Sequence, residues 1–408
     1  MGRVQGVGLL GLPFANASSG WIGGTLALVS FGFITWRTSI LIGRELNGDP
    51  RPGSYFDDSP FKTPLPPGST PQARMRRPIK SFPEIARQAF GDSGCIVLST
   101  VLYFELFSCI CIFIVTIGDH LHTLFPSISK ANCMTGVAIA SICPMILLKT
   151  AKLLSYLSMV GTLATIAVVS AVVAAALFEG DKTLEVAAKT DGAVPPYHVF
   201  WRPSGLLMSF GLVAYCFSGH AIVPSIYSSM KKPQEFETVV TATYLVVVTS
   251  CLAVGVSGYW MFGNLVRDQV TLSLEQNSSA VLAMKILTCL MILTAYSKIT
   301  LTMFPLALGF EEIVAPYLST ERASEFVSST IKLVLVFLAL CVSIFVPSFS
   351  LLCDMVGMVC TMSVSVVFPA AAHLKLFGSR LSLWEKSLDW VFIIVGSVMA
   401  VAGSILSL

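Results

Sequence analysis

The stretch Ser204-Gly205-Leu206-Leu207-Met208-Ser209-Phe210-Gly211-Leu212-Val213-Ala214-Tyr215-Cys216-Phe217-Ser218-Gly219-His220-Ala221-Ile222-Val223-Pro224-Ser225-Ile226-Tyr227-Ser228-Ser229-Met230 decides the fold. It is apolar almost throughout and exceeds the roughly 20 residues that a helix needs to cross a bilayer. Its middle is interrupted by Ser218-Gly219-His220 and then by Pro224. A continuous membrane helix rarely places a helix-weakening Gly, a titratable His and a Pro so close together. Backbone groups freed there cannot face lipid, where nothing satisfies them, so they are buried in protein or face a polar cavity. The stretch reads as two half-helices joined by unwound backbone, and the unwound backbone reads as a binding site.

A second stretch has the same form. Gly6-Val7-Gly8-Leu9-Leu10-Gly11-Leu12-Pro13 breaks an apolar run with glycines, and Gly8 precedes Pro13 by the same five residues that separate Gly219 from Pro224. One such segment could be a close-packing Gly and a kinking Pro. Two in corresponding halves point to a transporter's substrate site near mid-membrane. A half-helix starting after Gly8 presents unpaired N–H groups and a positive dipole end, which suits a carboxylate. Carbonyls freed around Cys216, Phe217 and Ser218 suit an ammonium group. Together they match a zwitterion, an amino acid; peptide carbonyls also bind monovalent cations such as sodium.

Composition agrees with a membrane protein. Of 408 residues, 54% are hydrophobic and 12% charged, against about a quarter charged in soluble domains; the mean hydropathy is +0.78. The 11 cysteines sit mostly inside apolar runs without a CxxC pair and read as packing residues, with no structural disulfide expected. No cleavable signal pattern is evident at the start.

Apolar runs predict eleven spans, at about 1–17, 21–42, 94–118, 133–150, 153–178, 204–230, 239–262, 279–310, 325–346, 349–373 and 388–408. The segment 47–80 contains eight prolines and almost no apolar periodicity, and reads as a disordered cytosolic insert. Ser81-Phe82-Pro83-Glu84 then reads as a helix start, with Ser81 as N-cap and Glu84 closing a capping box. Phe82, Ile85, Ala86, Ala89 and Phe90 share one face of this short amphipathic helix, and Gly91 ends it. The segment 179–203 reads as a polar loop. Of the 26 Lys and Arg, seventeen fall on one side of the membrane and five on the other; Arg37, Lys285, Lys298 and Lys332 lie within spans. The positive-inside rule makes the richer side cytosolic.

Three buried ionisable residues stand out, because such groups inside a membrane are functional candidates by default. His220 can change charge near neutral pH, or can be a neutral ring bonded to backbone. Lys298 sits mid-span in Thr294-Ala295-Tyr296-Ser297-Lys298-Ile299-Thr300. It can replace a bound sodium ion with a titratable positive charge, which makes coupling proton-based, or it can snorkel. Glu105, after Tyr103-Phe104, can pair with Lys298 or a substrate amine, or form an inter-helix hydrogen bond. Asp119 and His122 lie at the far end of the same span, where solvation is the default. Tyr156 and Ser158 are candidates for an inner gate. No HExxH, GxSxG, Walker A or Cys/His metal spacing occurs. The chain is not expected to be an enzyme, a primary pump or a nucleic-acid binder, and no cofactor or metal is expected.

At this point the residues resemble a known family. Gly6 to Ala15 with Gly20-Trp21 is similar to the first-span signature of the amino acid/auxin permease family, and Ser81-Phe82-Pro83-Glu84-Ile85 to Phe90-Gly91 to its first cytosolic helix. The most specific match is Phe217-Ser218-Gly219-His220-Ala221 to Pro224-Ser225-Ile226-Tyr227-Ser228-Ser229-Met230 with Lys232-Pro233, which resembles the vacuolar amino-acid transporter branch. Tyr296-Ser297-Lys298 to Pro305-Leu306-Ala307 with Glu311-Glu312 agrees with that branch. The resemblance covers nearly the whole chain. It implies a single all-α transporter domain over 1–408, with spans one to five and six to ten as inverted repeats around broken helices one and six. It implies alternating-access transport of a neutral amino acid, usually proton-linked, in a vacuolar or other endomembrane, by a monomer whose partners are amino acid, protons and lipid. The substrate contacts it implies are Gly6, Val7 and Gly8 in span one and Ser218, Gly219 and His220 in span six. Family members carry a cytosolic tail and a half-helix before the first break; here only Met1 to Gln5 stand there, so a shortened first helix is expected. Two alternatives remain open: a sodium-coupled transporter of the same fold at the plasma membrane, and a sensor that binds an amino acid without moving it.

Overall fold

The computed structural model describes residues 7–47, 81–147, 151–191, 197–277, 281–315 and 321–406. All regular structure among the described residues is helical. This is what a bilayer demands of an open chain, since each helix satisfies its own backbone groups. Nine helices among the described residues are long and apolar enough to cross a membrane. One of them, Leu9–Asn47, changes direction at Gly20 (φ 81°, ψ 172°) and supplies spans one and two. Lys130–Leu147, with Pro144 inside, is span four. These two additions bring the spans to the expected eleven.

The kink at Gly20 is a left-handed backbone that glycine tolerates best. It is held by a short segment that enters from the loop before span six. Trp21 N–H donates to Val199 O and Ile22 N–H to Phe200 O, both at 3.0 Å, and Arg202 N–H donates to Ser19 O at 2.9 Å. A methyl group on Gly20 would stand 2.7 Å from the Phe200 carbonyl.

The helix before span three begins as expected at Ser81 and bends at Gly91 (φ 74°). Ser81 makes no side-chain capping bond, so the expected capping box is not what starts it; Glu84 N–H donates to the Ser81 carbonyl instead. Phe82, Ile85, Ala86 and Ala89 are buried, but Phe90 is exposed. Phe82 packs edge-on against Phe368 of span ten at 4.9 Å, which moors the helix to the bundle.

Two regions depart from the sequence reading. The helix of span five runs from Ala151 to Asp191, well beyond the expected end at 178. Lys182, Leu184, Glu185, Ala187, Ala188 and Lys189 are good helix formers, so polarity marks where the membrane ends and not where the helix ends. Span ten is three joined pieces: Phe349–Met355, a π-helical run Val356–Val367, and Phe368–Phe377. The segment expected to be disordered lies, beyond Asn47, outside the described residues.

Burial orders the spans. Span three is the most enclosed, with every residue from Cys109 to Ile117 buried; a helix that is apolar all round belongs in the centre. Span eleven is peripheral and exposes Trp390, Ile394, Val398 and Val401 along a lipid-facing side. The 11 cysteines are free thiols.

Candidate substrate site at the broken helices

Span six is opened in its middle. Its first half, Leu206–Cys216, ends in a tightened turn in which Phe217 N–H donates to Ala214 O and Ser218 N–H to Tyr215 O. Gly219 is extended (φ 169°, ψ 3°), and the chain re-enters helix through a 3-10 turn at His220–Ile222. The second half, Val223–Ser229, carries Pro224 in its first turn, where a missing N–H costs nothing. The interruption therefore covers Phe217–Gly219, one residue earlier than the Ser218-Gly219-His220 of the sequence reading, and His220 opens the 3-10 turn.

Span one meets this break. A methyl group on Gly8 would stand 3.0 Å from Cys216 Sγ and 3.3 Å from Cys216 Cα. Gly8 thus packs closely on the end of the first half of span six, where a side chain would force Cys216 or Tyr215 to shift. Gly8 itself has helical torsions (φ −59°, ψ −36°), and the irregularity in span one is a 3-10 turn over Leu9–Gly11 that follows it. The expected open backbone at Gly8 takes this tightened form. Val7 is buried; Gly6 lies outside the described residues.

His220 is fully buried against span two. Its Nε2 lies 2.9 Å from Thr38 Oγ1, 3.2 Å from Ser39 Oγ and 3.2 Å from the Thr35 carbonyl oxygen. A carbonyl can only accept, so these distances place the ring proton on Nε2. Nδ1 is then an acceptor, and it has no protein partner. Neither sequence reading anticipated this one-sided arrangement. Ser39 also pairs with Tyr244 of span seven at 2.9 Å, and the Tyr244 ring stacks over Phe217.

Glu105 is also buried, and it receives hydrogen bonds from Ser218 Oγ in the break and from Thr361 Oγ1 of the π-helical run, the latter at 3.2 Å. This is the inter-helix hydrogen bond that the sequence left open for it. The expected alternative, pairing with Lys298, is not what the structure contains: Lys298 is buried in span eight and its Nζ has no hydrogen-bond partner. The next residue toward the start of that span, Ser297, packs against Gly161 of span five. Gly8 packs against Cys216 at the edge of the break, Ser218 joins Glu105, and His220 joins span two; Gly6 lies outside the described residues, and Lys298 makes no hydrogen bond to any of them. Tyr156, expected near an inner gate, is exposed on span five.

Sequence reasoning missed Thr35, Thr38, Ser39 and Thr361. Each hydroxyl sits in an apolar run where bonding to the preceding helical turn is the ordinary outcome, and Thr35 and Thr38 make those bonds too. It also missed how closely spans six and ten approach. A methyl on Gly357 would stand 1.9 Å from the Gly211 carbonyl; small residues at such crossings let helices touch backbone to backbone.

The outer end of span three carries a second polar cluster. His120 Nδ1 lies 3.1 Å from Glu275 Oε1, which also accepts from Thr288, and Thr271 Oγ1 lies 3.3 Å from His120 Nε2. Asp119, expected to be solvated, instead accepts from Gln269 and pairs with Lys130. Burial, and then the nearby Asp119 charge, raise the Asp268 carboxyl above its ordinary value.

The whole-molecule arrangement is shared with a solved Na+-coupled sialic acid symporter in its substrate-bound outward-open state. The TM-score is 0.56 at 12% identity, over 99% of this chain and 87% of that one. The likeness is one of fold: helices arranged as two inverted repeats of five spans around helices one and six, with an eleventh span added. By sequence, the chain is 28% identical to the amino acid transporter AVT1C of Arabidopsis thaliana over 98% of its own length and 66% of that protein's. It is 26% identical to AVT1H of the same plant over 99% of its length and 86% of that protein's. The chain thus spans about two thirds of the length of the first of these relatives. Residues 1–408 match the family model described as transmembrane amino acid transporter protein. The family consists of membrane transporters, not enzymes, and with a match across its full extent this chain belongs to it.

Proposed function

We propose that the protein is a secondary active transporter that carries a neutral amino acid through an intracellular membrane, of vacuolar type, by alternating access coupled to protons. The observation that carries this reading is the break at Phe217–Gly219 in span six, with Gly8 of span one packed against Cys216 immediately before it and His220 Nδ1 an unpaired acceptor immediately after it. Opened backbone inside a bilayer is tolerated where it holds a solute. Backbone dipoles of both signs, with a neutral imidazole acceptor, suit a zwitterion better than a simple anion. The curated relatives are named as amino acid transporters, and the vacuolar location rests on the resemblance carried by Phe217 to Pro233.

Proton coupling is supported by Lys298. A buried ammonium without a partner is costly, and a lysine shifts its proton affinity readily. This also disfavours the sodium-coupled alternative. The test is uptake of a labelled amino-acid panel into proteoliposomes under an imposed pH gradient, with and without sodium. Accumulation that follows the pH gradient and ignores sodium supports the reading. Binding without counterflow would make the protein a sensor instead.

A further inference from the structure

Three ionisable side chains are buried at the end of the bundle that the Lys and Arg distribution marks as cytosolic, where span two packs on the last piece of span ten and that piece on span eleven. Glu45 lies near the end of span two, His373 in the last helical piece of span ten, and Asp389 near the start of span eleven. Their exposures are 1%, 0% and 0%. His373 Nδ1 and Asp389 Oδ2 are 2.7 Å apart. Four polar atoms in this group have no partner: both carboxyl oxygens of Glu45, Asp389 Oδ1 and His373 Nε2. Asp389 is the charged neighbour that bears on Glu45.

Arg37 and Arg44 of the same span do not bond Glu45. Arg44 of span two reaches Glu237 of span seven at 3.1 Å and Glu385 of span eleven at 3.9 Å. Arg37, also of span two, shares the field of Arg44, Asp389, Glu385 and Glu237. From the second half of span six, Tyr227 Oη reaches Asn47 at 3.4 Å. Glu45 is therefore left without a donor from any of these. A buried carboxylate without a hydrogen bond is far costlier than a neutral carboxyl, and two adjacent carboxyls do not both ionise. His373 is tied to Asp389 through Nδ1, and its Nε2 does not bond Glu45.

We propose that Glu45 is a proton-binding site, carrying a proton while spans two, ten and eleven are closed together and releasing it on the cytosolic side when they part. Span two belongs to the first repeat and span ten to the second, and alternating access rocks one against the other. The joint between them then opens to water, the Glu45 O–H bond breaks, the proton passes to water, and the electron pair stays on the carboxylate. This deepens the proton-coupled reading and rests on it for its role in transport.

The experiment is a pH titration of the full chain in lipid nanodiscs by difference infrared spectroscopy, comparing wild type, Glu45→Gln and Asp389→Asn. Wild type should show a protonated-carboxyl band that fades as pH rises, and Glu45→Gln should lack it. Asp389→Asn removes the neighbouring negative charge, so the surviving band should fade at lower pH, with a midpoint shift of about one unit. That variant also serves if Glu45→Gln does not fold. In proteoliposomes, Glu45→Gln should flatten a dependence of flux on cytosolic-side pH that in wild type is at least roughly threefold over two units. Identical spectra for wild type and Glu45→Gln, a Glu45 band that never titrates, or an Asp389→Asn midpoint that does not move overturns the proposal. If the band titrates as stated but no gradient drives uptake, the coupled-transport reading fails and the proton site stands.

Discussion

His220 has its proton assigned by its surroundings, since the Thr35 carbonyl can only accept from Nε2. What remains is a lone pair on Nδ1 at the edge of the break. His220→Ala is expected to lower amino-acid flux about tenfold, the weight of one good hydrogen bond, while expression and assembly persist. Unchanged flux in that variant would take His220 out of the site. Glu105 separates charge from architecture. Glu105→Gln keeps an oxygen that Ser218 and Thr361 can donate to, so the protein should fold with altered transport. Glu105→Ala strands both hydroxyls and is expected to cost about 1–3 kcal/mol for each, read as a lowered melting temperature. Lys298→Met keeps the apolar stem without the charge; gradient-driven accumulation should be lost while substrate binding, measured by thermal shift, survives. Retained accumulation would show that coupling lies elsewhere. At this scale the sequence was legible where a residue broke a pattern, as His220, Glu105 and Lys298 do. It was silent for Thr38, Ser39 and Thr361, whose hydroxyls look the same in an apolar run whether they bond locally or reach across.

Among the elements, the crossing of spans one and six is open to a direct test. Gly8→Ala places a methyl 3.0 Å from Cys216 Sγ, and overpacking of this kind costs about 1–3 kcal/mol. Cys216→Ala in the same chain removes the obstructing sulfur, so the double variant should regain part of the lost flux. Simple additivity of the two substitutions would argue that they do not touch. Gly20→Ala is expected to be worse for stability than for chemistry. It puts a Cβ on a left-handed residue and against the Phe200 backbone at 2.7 Å. Glycine and proline made the breaks in spans one and six, the turn at Gly20 and the bend at Gly91 visible in advance. The π-helical run in span ten was not, because nothing in Val356–Val367 separates a π-helix from an α-helix by residue type. Nor was the extension of span five, because hydropathy records the solvent and not the backbone.

For the molecule as a whole, the number of spans followed from apolar length alone, since a bilayer imposes one length on every crossing. The order of burial followed only in part: span three is more apolar than peripheral span eleven, but span nine is as apolar as span three and is largely exposed. Adding a protonophore to loaded proteoliposomes is expected to collapse accumulation, whereas removing sodium should leave it intact. The reverse result would favour the sodium-coupled alternative. One further consequence belongs here. The 199–202 segment stitches the start of span six to the turn between spans one and two by three main-chain hydrogen bonds, and Arg202 Nη1 adds a fourth to the Ala17 carbonyl. The two interrupted helices are thereby yoked at one end like the arms of a pair of tongs fixed at the rivet. On the transport reading proposed above, a cargo held between them would leave by the surrounding walls withdrawing, with the riveted ends of the two helices kept together.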